Sequence, residues 1–100
     1  MEKRKAHYDL SKVKSTVRSR GADAFTAKAL IGIHHMGLDV DEAVEVVCSM
    51  TRADFYKSMT VHSSSRVWQA VYHPETPAGV AYVKLTLRED GAVVIQFKEK

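Results

Sequence analysis

Cysteine is nearly missing from this 100-residue chain, where Cys48 stands alone. A lone thiol excludes a disulfide framework within the chain and fits a reducing compartment. Proline occurs twice and glycine five times, too few for a collagen-like or low-complexity protein. No run approaches the roughly 18 apolar residues that a membrane-spanning helix needs. The basic opening, Met1-Glu2-Lys3-Arg4-Lys5, is followed by no apolar stretch, so no secretory signal is expected. Together these absences point to a cytoplasmic protein with no membrane association.

Recognisable metal and nucleophile patterns are missing as well. Of the five histidines, His34 and His35 are adjacent. On a helix they stand about 100° apart and cannot chelate together as an i, i+4 pair would. His7, His62 and His73 have no ligand spacing, and one cysteine does not make a zinc site. No nucleophile elbow and no phosphate-cradling glycine loop occurs. Neither a metal nor a cofactor is expected.

What is present suits a single globular domain over residues 1–100. The chain is 45% hydrophobic and 27% charged, enough to bury a core unaided. The net charge of +3 is unevenly placed. Residues 1–20 carry Lys3, Arg4, Lys5, Lys12, Lys14, Arg18 and Arg20 against Glu2 and Asp9. In residues 21–50 only Lys28 opposes Asp23, Asp39, Asp41, Glu42 and Glu45, and bases again exceed acids in residues 51–100. Blocks of one sign matter for a polyanionic partner, although solvated faces without any partner have the same look.

The first half reads as helical. Ser11 is a candidate cap for a helix carrying Val13 and Val17 on one face, with Leu10 as staple residue and Gly21 as terminator. Thr26 caps a second helix over 27–36, with Ala27, Leu30, Ile31 and His34 on one face and Gly37 closing it. Asp39 and Glu42 have capping-box spacing for a third helix over 40–50, although Val44-Glu45-Val46-Val47 also suits a strand. The second half alternates instead. Residues 66–72 are β-branched and aromatic, and Pro74 and Pro77 mark a loop. Ala81, Val83, Leu85 and Leu87 share one face of a strand, with Tyr82, Lys84, Thr86 and Arg88 on the other. In the last strand Val93, Ile95 and Phe97 oppose Val94, Gln96 and Lys98. One apolar and one polar face suit an antiparallel sheet covered on one side. The fold class expected is therefore α+β, helical over about 10–50 and sheet over about 57–98.

The last hairpin has an arguable register. A loop at Asp90-Gly91 alone would set Lys84 opposite Phe97. A three-residue loop, Glu89-Asp90-Gly91, pairs Leu85 with Ile95, Val83 with Phe97, Lys84 with Gln96 and Tyr82 with Lys98, and puts Gly91 where a left-handed residue is needed. Two lysines, a tyrosine and a glutamine then share one open patch. Trp68 and Tyr72 read as core aromatics. Asp54-Phe55-Tyr56-Lys57-Ser58-Met59-Thr60 reads, on its own, as a short turn anchored by Phe55.

That seven-residue tract nevertheless resembles the signature of the motility quorum-sensing regulator (MqsR) toxin family. The resemblance continues through Trp68-Gln69, Val71-Tyr72, Pro74, Tyr82, Lys84, Thr86 and Phe97-Lys98-Glu99-Lys100. It extends to Met1-Glu2-Lys3-Arg4, His7, Leu10-Ser11, Val13-Lys14 and Gly37-Leu38-Asp39. His73 stands where a relative has arginine, the final hairpin is one residue longer, and residues 18–33 match poorly. The resemblance implies a RelE-like α+β fold and the toxin of a type II toxin–antitoxin system. It implies a messenger-RNA endoribonuclease cutting single-stranded RNA at short GC-containing sites, without a ribosome. It further implies neutralisation by a cognate antitoxin bearing a helix-turn-helix domain. The catalytic residues it carries over are Lys57, Gln69, Tyr82 and Lys98. Lys84, Arg88, Gln96, Tyr56 and His73 are then expected to contact RNA. A non-catalytic RNA- or DNA-binding module using the same basic face is the competing expectation.

Overall fold

A computed structural model describes residues 2–3, 8–61, 64–88 and 91–100, with backbone alone for 2–3 and 64–66. Strand β1 (Glu2–Lys3) precedes helices α1 (Leu10–Arg20), α2 (Ala27–His35) and α3 (Val40–Ser49). Strands β2 (Phe55–Val61), β3 (Ser64–Tyr72), β4 (Glu75–Thr76), β5 (Gly79–Arg88) and β6 (Gly91–Glu99) follow. The architecture is α+β. The sheet is antiparallel in the order β1-β2-β3-β5-β6, and β4 pairs only with the start of β5. The short β1 adds to the sheet from the helical half, which alternation patterns did not foresee.

Helix boundaries follow local chemistry. Asp39 and Glu42 form a complete capping box on α3, which settles the helix-or-strand ambiguity there. Gly37 closes the preceding turn with φ of +75°, a conformation costly for other residues. The first helix is capped by Asp9 rather than Ser11. The Asp9 carboxylate accepts the Ser11 amide at 3.0 Å and the Ser11 hydroxyl at 2.8 Å. A carboxylate is favoured at the positive end of a helix, so Asp9 takes the position and Leu10 lies inside the helix. On α2 the buried residues are Ala29 and Ile33, while Ile31 is 57% exposed and His34 faces solvent. The expected face of Ala27, Leu30, Ile31 and His34 is thus corrected. What turns the helix is its docking beside β6, which sends Ala29 and Ile33 into the core.

The helices cover one face of the sheet. Their core joins Val13, Val17, Ala29, Ile33, Ala43 and Val47 to Ala70, Tyr72, Val83, Leu85, Val94 and Phe97. Tyr72 is buried as expected, whereas Trp68 is only partly so.

The register of the final hairpin is right in one half and wrong in the other. Tyr82 pairs with Lys98, Val83 with Phe97 and Lys84 with Gln96. Leu85 then pairs with Val94 rather than Ile95, and Arg88 with Gly91. The extra residue is absorbed by a bulge between Lys84 and Leu85 instead of by a three-residue loop. Two consecutive β6 residues oppose one there, so the alternation resets. Val94 and Phe97 both reach the core, and Ile95 is left half-buried. Glu89 and Asp90, expected in the hairpin loop, lie outside the described residues.

Candidate active site

The signature tract is a strand, not a turn. A single 3-10 turn, Arg52–Asp54, is capped by Thr51, whose hydroxyl accepts the Ala53 amide at 3.2 Å. The chain then enters β2 at Phe55 and pairs with β3. Near its start β2 has an irregularity. Phe55 pairs with Tyr72 but Lys57 pairs with Val71, leaving Tyr56 unpaired. The Phe55 ring meets the edge of Tyr72 in the core, at 5.5 Å and 72°. Tyr56, 47% exposed, instead stacks on His73 with centroids 4.6 Å apart and planes at 23°.

From Lys57 a row of residues crosses the helix-free face. Lys57 pairs with Val71, Val71 with Lys84, and Lys84 with Gln96. Adjacent strands lie about 4.8 Å apart, so β2 to β6 spans about 14 Å. Val71 is fully buried without belonging to the main core. Its cross-strand neighbours on this face are the two lysines, Lys57 and Lys84.

A second run of residues joins the same patch. The His73 ring lies 5.8 Å from Tyr82, and the Lys98 Nζ lies 5.1 Å above the Tyr82 ring. The Lys57 Nζ lies 5.4 Å from the Tyr56 ring. Lys57, Tyr56, His73, Tyr82 and Lys98 therefore form a continuous chain of ring–ring and cation–ring contacts. Gln69, opposite Met59, sits two residues from Val71 and so on the same side of β3. Arg88 is not brought to the patch. It lies at the far end of β5 in a groove with Lys12, Thr16 and Gly91.

Electrostatics follow the geometry. Partial burial lowers the pKa of Lys84, and the positive charges of Lys28, Lys98 and Lys57 lower it further. Lys28 is absent from the sequence-based set, because it stands alone in an acidic stretch and the resemblance is poor over residues 18–33. Only the docking of α2 beside β6 brings it near. Burial also lowers the His73 pKa, with Lys100 adding to the shift. Among the described residues, no cluster of three histidine, cysteine or acidic side chains is placed to hold a metal ion. The charges assembled here are cationic and suit an anionic ligand.

A family model described as "Motility quorum-sensing regulator, toxin of MqsA" matches residues 5–99. The chain belongs to this toxin family. A family relative from Escherichia coli (strain K12), named "mRNA interferase toxin MqsR", is 41% identical over 100 residues, covering all of both chains. Members of a toxin family act with an antitoxin partner, and the description of this one names MqsA. No helix among the described residues is long and apolar enough to cross a membrane. The acidic residues of α3 sit apart from the basic patch. Asp39, Asp41, Glu42 and Glu45 line a groove with Glu75 and Pro77, on the helical side of the molecule.

Proposed function

We propose that this protein is an mRNA endoribonuclease, the toxin of a toxin–antitoxin pair, and that the helix-free sheet face is its active site. The observation that carries this reading is the convergence of Lys57, Lys84 and Lys98 around Tyr82 on one face. RNA contains its own nucleophile, the ribose 2′-OH. The enzyme has to orient that hydroxyl, move two protons and stabilise the extra charge on phosphorus.

In this reaction a bond forms between the 2′ oxygen and phosphorus while the bond from phosphorus to the 5′ oxygen breaks. One group accepts the 2′-OH proton and another supplies a proton to the departing 5′ oxygen. The products are a 2′,3′-cyclic phosphate and a 5′-OH. Lys57 holds the scissile phosphate, and fixed cations stabilise the transition state where charge develops. Tyr82, with Lys98 over its ring, takes part in proton transfer, and Lys98 shares the phosphate. Gln69 positions the ribose by hydrogen bonding. Tyr56, His73, Lys84 and Gln96 bind the strand beside the break, rings stacking on bases and cations meeting phosphates. Lysine and tyrosine ordinarily titrate near pH 10. Burial first, and then the repulsion of the clustered cations, lower the Lys84 pKa.

The antitoxin is proposed to carry a helix-turn-helix domain, and the pair to work in the cytoplasm on single-stranded RNA at short GC-containing sites. The test is incubation of antitoxin-free protein with a defined RNA in chelator, with mapping of both new ends. Cyclic phosphate and 5′-OH ends support the reading. Salt-sensitive binding without cleavage would instead identify a non-catalytic RNA-binding module.

A further inference from the structure

Helix α2 is fastened to the exposed edge of β6. The Thr26 amide donates to the Val94 carbonyl at 3.0 Å, and the Thr26 hydroxyl donates to the Ile95 carbonyl at 3.0 Å. The same hydroxyl accepts the Ala29 amide at 3.2 Å, so one side chain both caps the helix and ties it to the strand. Phe25 bridges Val94 in parallel, and the helix runs on in the direction of β6. Nearly two turns later Gly32 lies against the Phe97 carbonyl so closely that a Cβ could not be added there. Gly32 therefore marks the flank of α2 that faces the strand.

Lys28 precedes Gly32 by four residues. At about 100° per residue the two lie within about 40° of one another on the helix surface. Lys28 is exposed, and along β6 it stands between the Ile95 tie and the Phe97 contact. Gln96, which lies between them, is the partner of Lys84. The row that begins at Lys57 and passes through Lys84 and Gln96 thus continues off the sheet onto α2.

We infer that Lys28 is a fourth cation of this site and binds a backbone phosphate of the RNA on the β6 side of the scissile bond. The inference rests on the sheet face being the RNA site. Its field at Lys84 agrees with this placement, since among the cations acting on Lys84 the effect of Lys28 ranks ahead of Lys98 and Lys57. Lys28 is thereby a positioning residue for the strand. The scissile phosphate is held from β2 and a phosphate further along the strand from α2, so the RNA lies across the strands of the sheet.

The probe is a 2′-O-methylated single-stranded RNA, which keeps every phosphate and cannot be cut. Its Kd is measured against salt for the native protein and for Lys28→Gln, Lys84→Gln and Lys14→Gln. Each phosphate contact contributes about 0.7 to the slope of log affinity against log salt for a single strand. Lys28→Gln is expected to reduce the slope by about that amount and to raise Kd several-fold at low salt. On a cleavable RNA it should raise KM more than it lowers kcat. Lys14, beside Arg18 and Cys48 on the helical side, removes the same charge elsewhere and should leave the slope alone. An unchanged slope for Lys28→Gln, with Lys84→Gln lowering it, would overturn the Lys28 assignment alone. Equal effects of Lys28→Gln and Lys14→Gln would reduce it to a net-charge effect and overturn it too. If Lys84→Gln also has no effect, the sheet face is not the RNA site.

Discussion

The ring of Tyr56 stacks on the imidazole of His73, 4.6 Å between centroids, because β2 skips one residue between Phe55 and Lys57. The irregularity turns a residue that strict pairing would assign to one row into a platform beside the lysines.

His73 gives the site a pH response. Burial and Lys100 hold its pKa below the ordinary 6.5. Between that lowered value and 6.5 the unfolded chain binds the proton and the folded chain does not, so stability falls as pH drops below about 6.5. A bound phosphate draws the proton back onto His73, so RNA binding tightens by several-fold between pH 7.5 and 5.5. The Kd profile of His73→Gln should be flatter than the native one. Superimposable profiles would remove His73 from the RNA contact.

Tyr82→Phe keeps the ring under the Lys98 ammonium and removes the phenolic proton. If Tyr82 moves a proton, kcat falls about 10²–10⁴-fold with KM little changed. Lys57→Ala, which removes the cation proposed to hold the scissile phosphate, costs on the order of 10²–10³. Single-turnover cleavage with excess enzyme reads both. Full activity in the triple Lys57→Ala, Tyr82→Phe, Lys98→Ala variant would dismiss the site.

Lys84 exemplifies a cation kept at the expense of stability. Its pKa is lowered by burial and by three like charges, so the folded chain holds that proton less tightly than the unfolded one. Stability from this group is therefore missing at neutral pH and returns as pH rises through the lowered value toward that of free lysine. Lys84→Gln should raise Tm by roughly 2–4 °C at pH 7, the usual gain from relieving an unfavourable charge. It should weaken RNA binding at the same time. A lower Tm with intact binding contradicts both halves.

Ser58 is fully buried in the middle of β2, and among the described residues its hydroxyl has no hydrogen-bond partner. An unpaired buried hydroxyl costs about 1–3 kcal/mol. Ser58→Ala is accordingly neutral or stabilising in thermal unfolding and leaves RNA cleavage intact, since Ser58 points away from Lys57. A loss of more than about 1 kcal/mol would reveal a partner for the hydroxyl.

Gly32→Ala places a methyl against the Phe97 carbonyl. Backbone cannot swing aside as a side chain can, so α2 must withdraw from β6. Destabilisation of about 1–3 kcal/mol or more is expected from such overpacking, read by denaturant unfolding. RNA affinity falls with it through the displacement of Lys28.

The caps of the second and third helices and the face alternation of β5 were legible in the sequence because they depend on a few adjacent residues, whereas at the first helix Asp9 caps in place of the expected Ser11. Asp39 with Glu42, Thr26, Gly37 and the 81-83-85 face all act where local chemistry places them. Tyr82 opposite Lys98 followed from the same alternation. Features set by tertiary contact were hidden. The face of α2 is chosen by the β6 edge, so Ile31 was misread and Lys28 passed over. The skip at Tyr56 and the bulge at Leu85 depend on neighbouring strands, and no residue pattern announces either.

The bulge in the last hairpin also decouples two parts of the molecule. Strand faces repeat every two residues, so a single insertion near the hairpin tip would normally turn Gln96 and Lys98 inward. Here the additional residue is consumed where the register shifts between Lys84 and Leu85, before the half that carries Tyr82 opposite Lys98. Where β6 begins, Gly91 lies against Thr16 of α1, and a one-residue difference at that end leaves Tyr82 opposite Lys98 and Lys84 opposite Gln96. A change in length near Gly91 would then leave the proposed site at the other end of the hairpin in register.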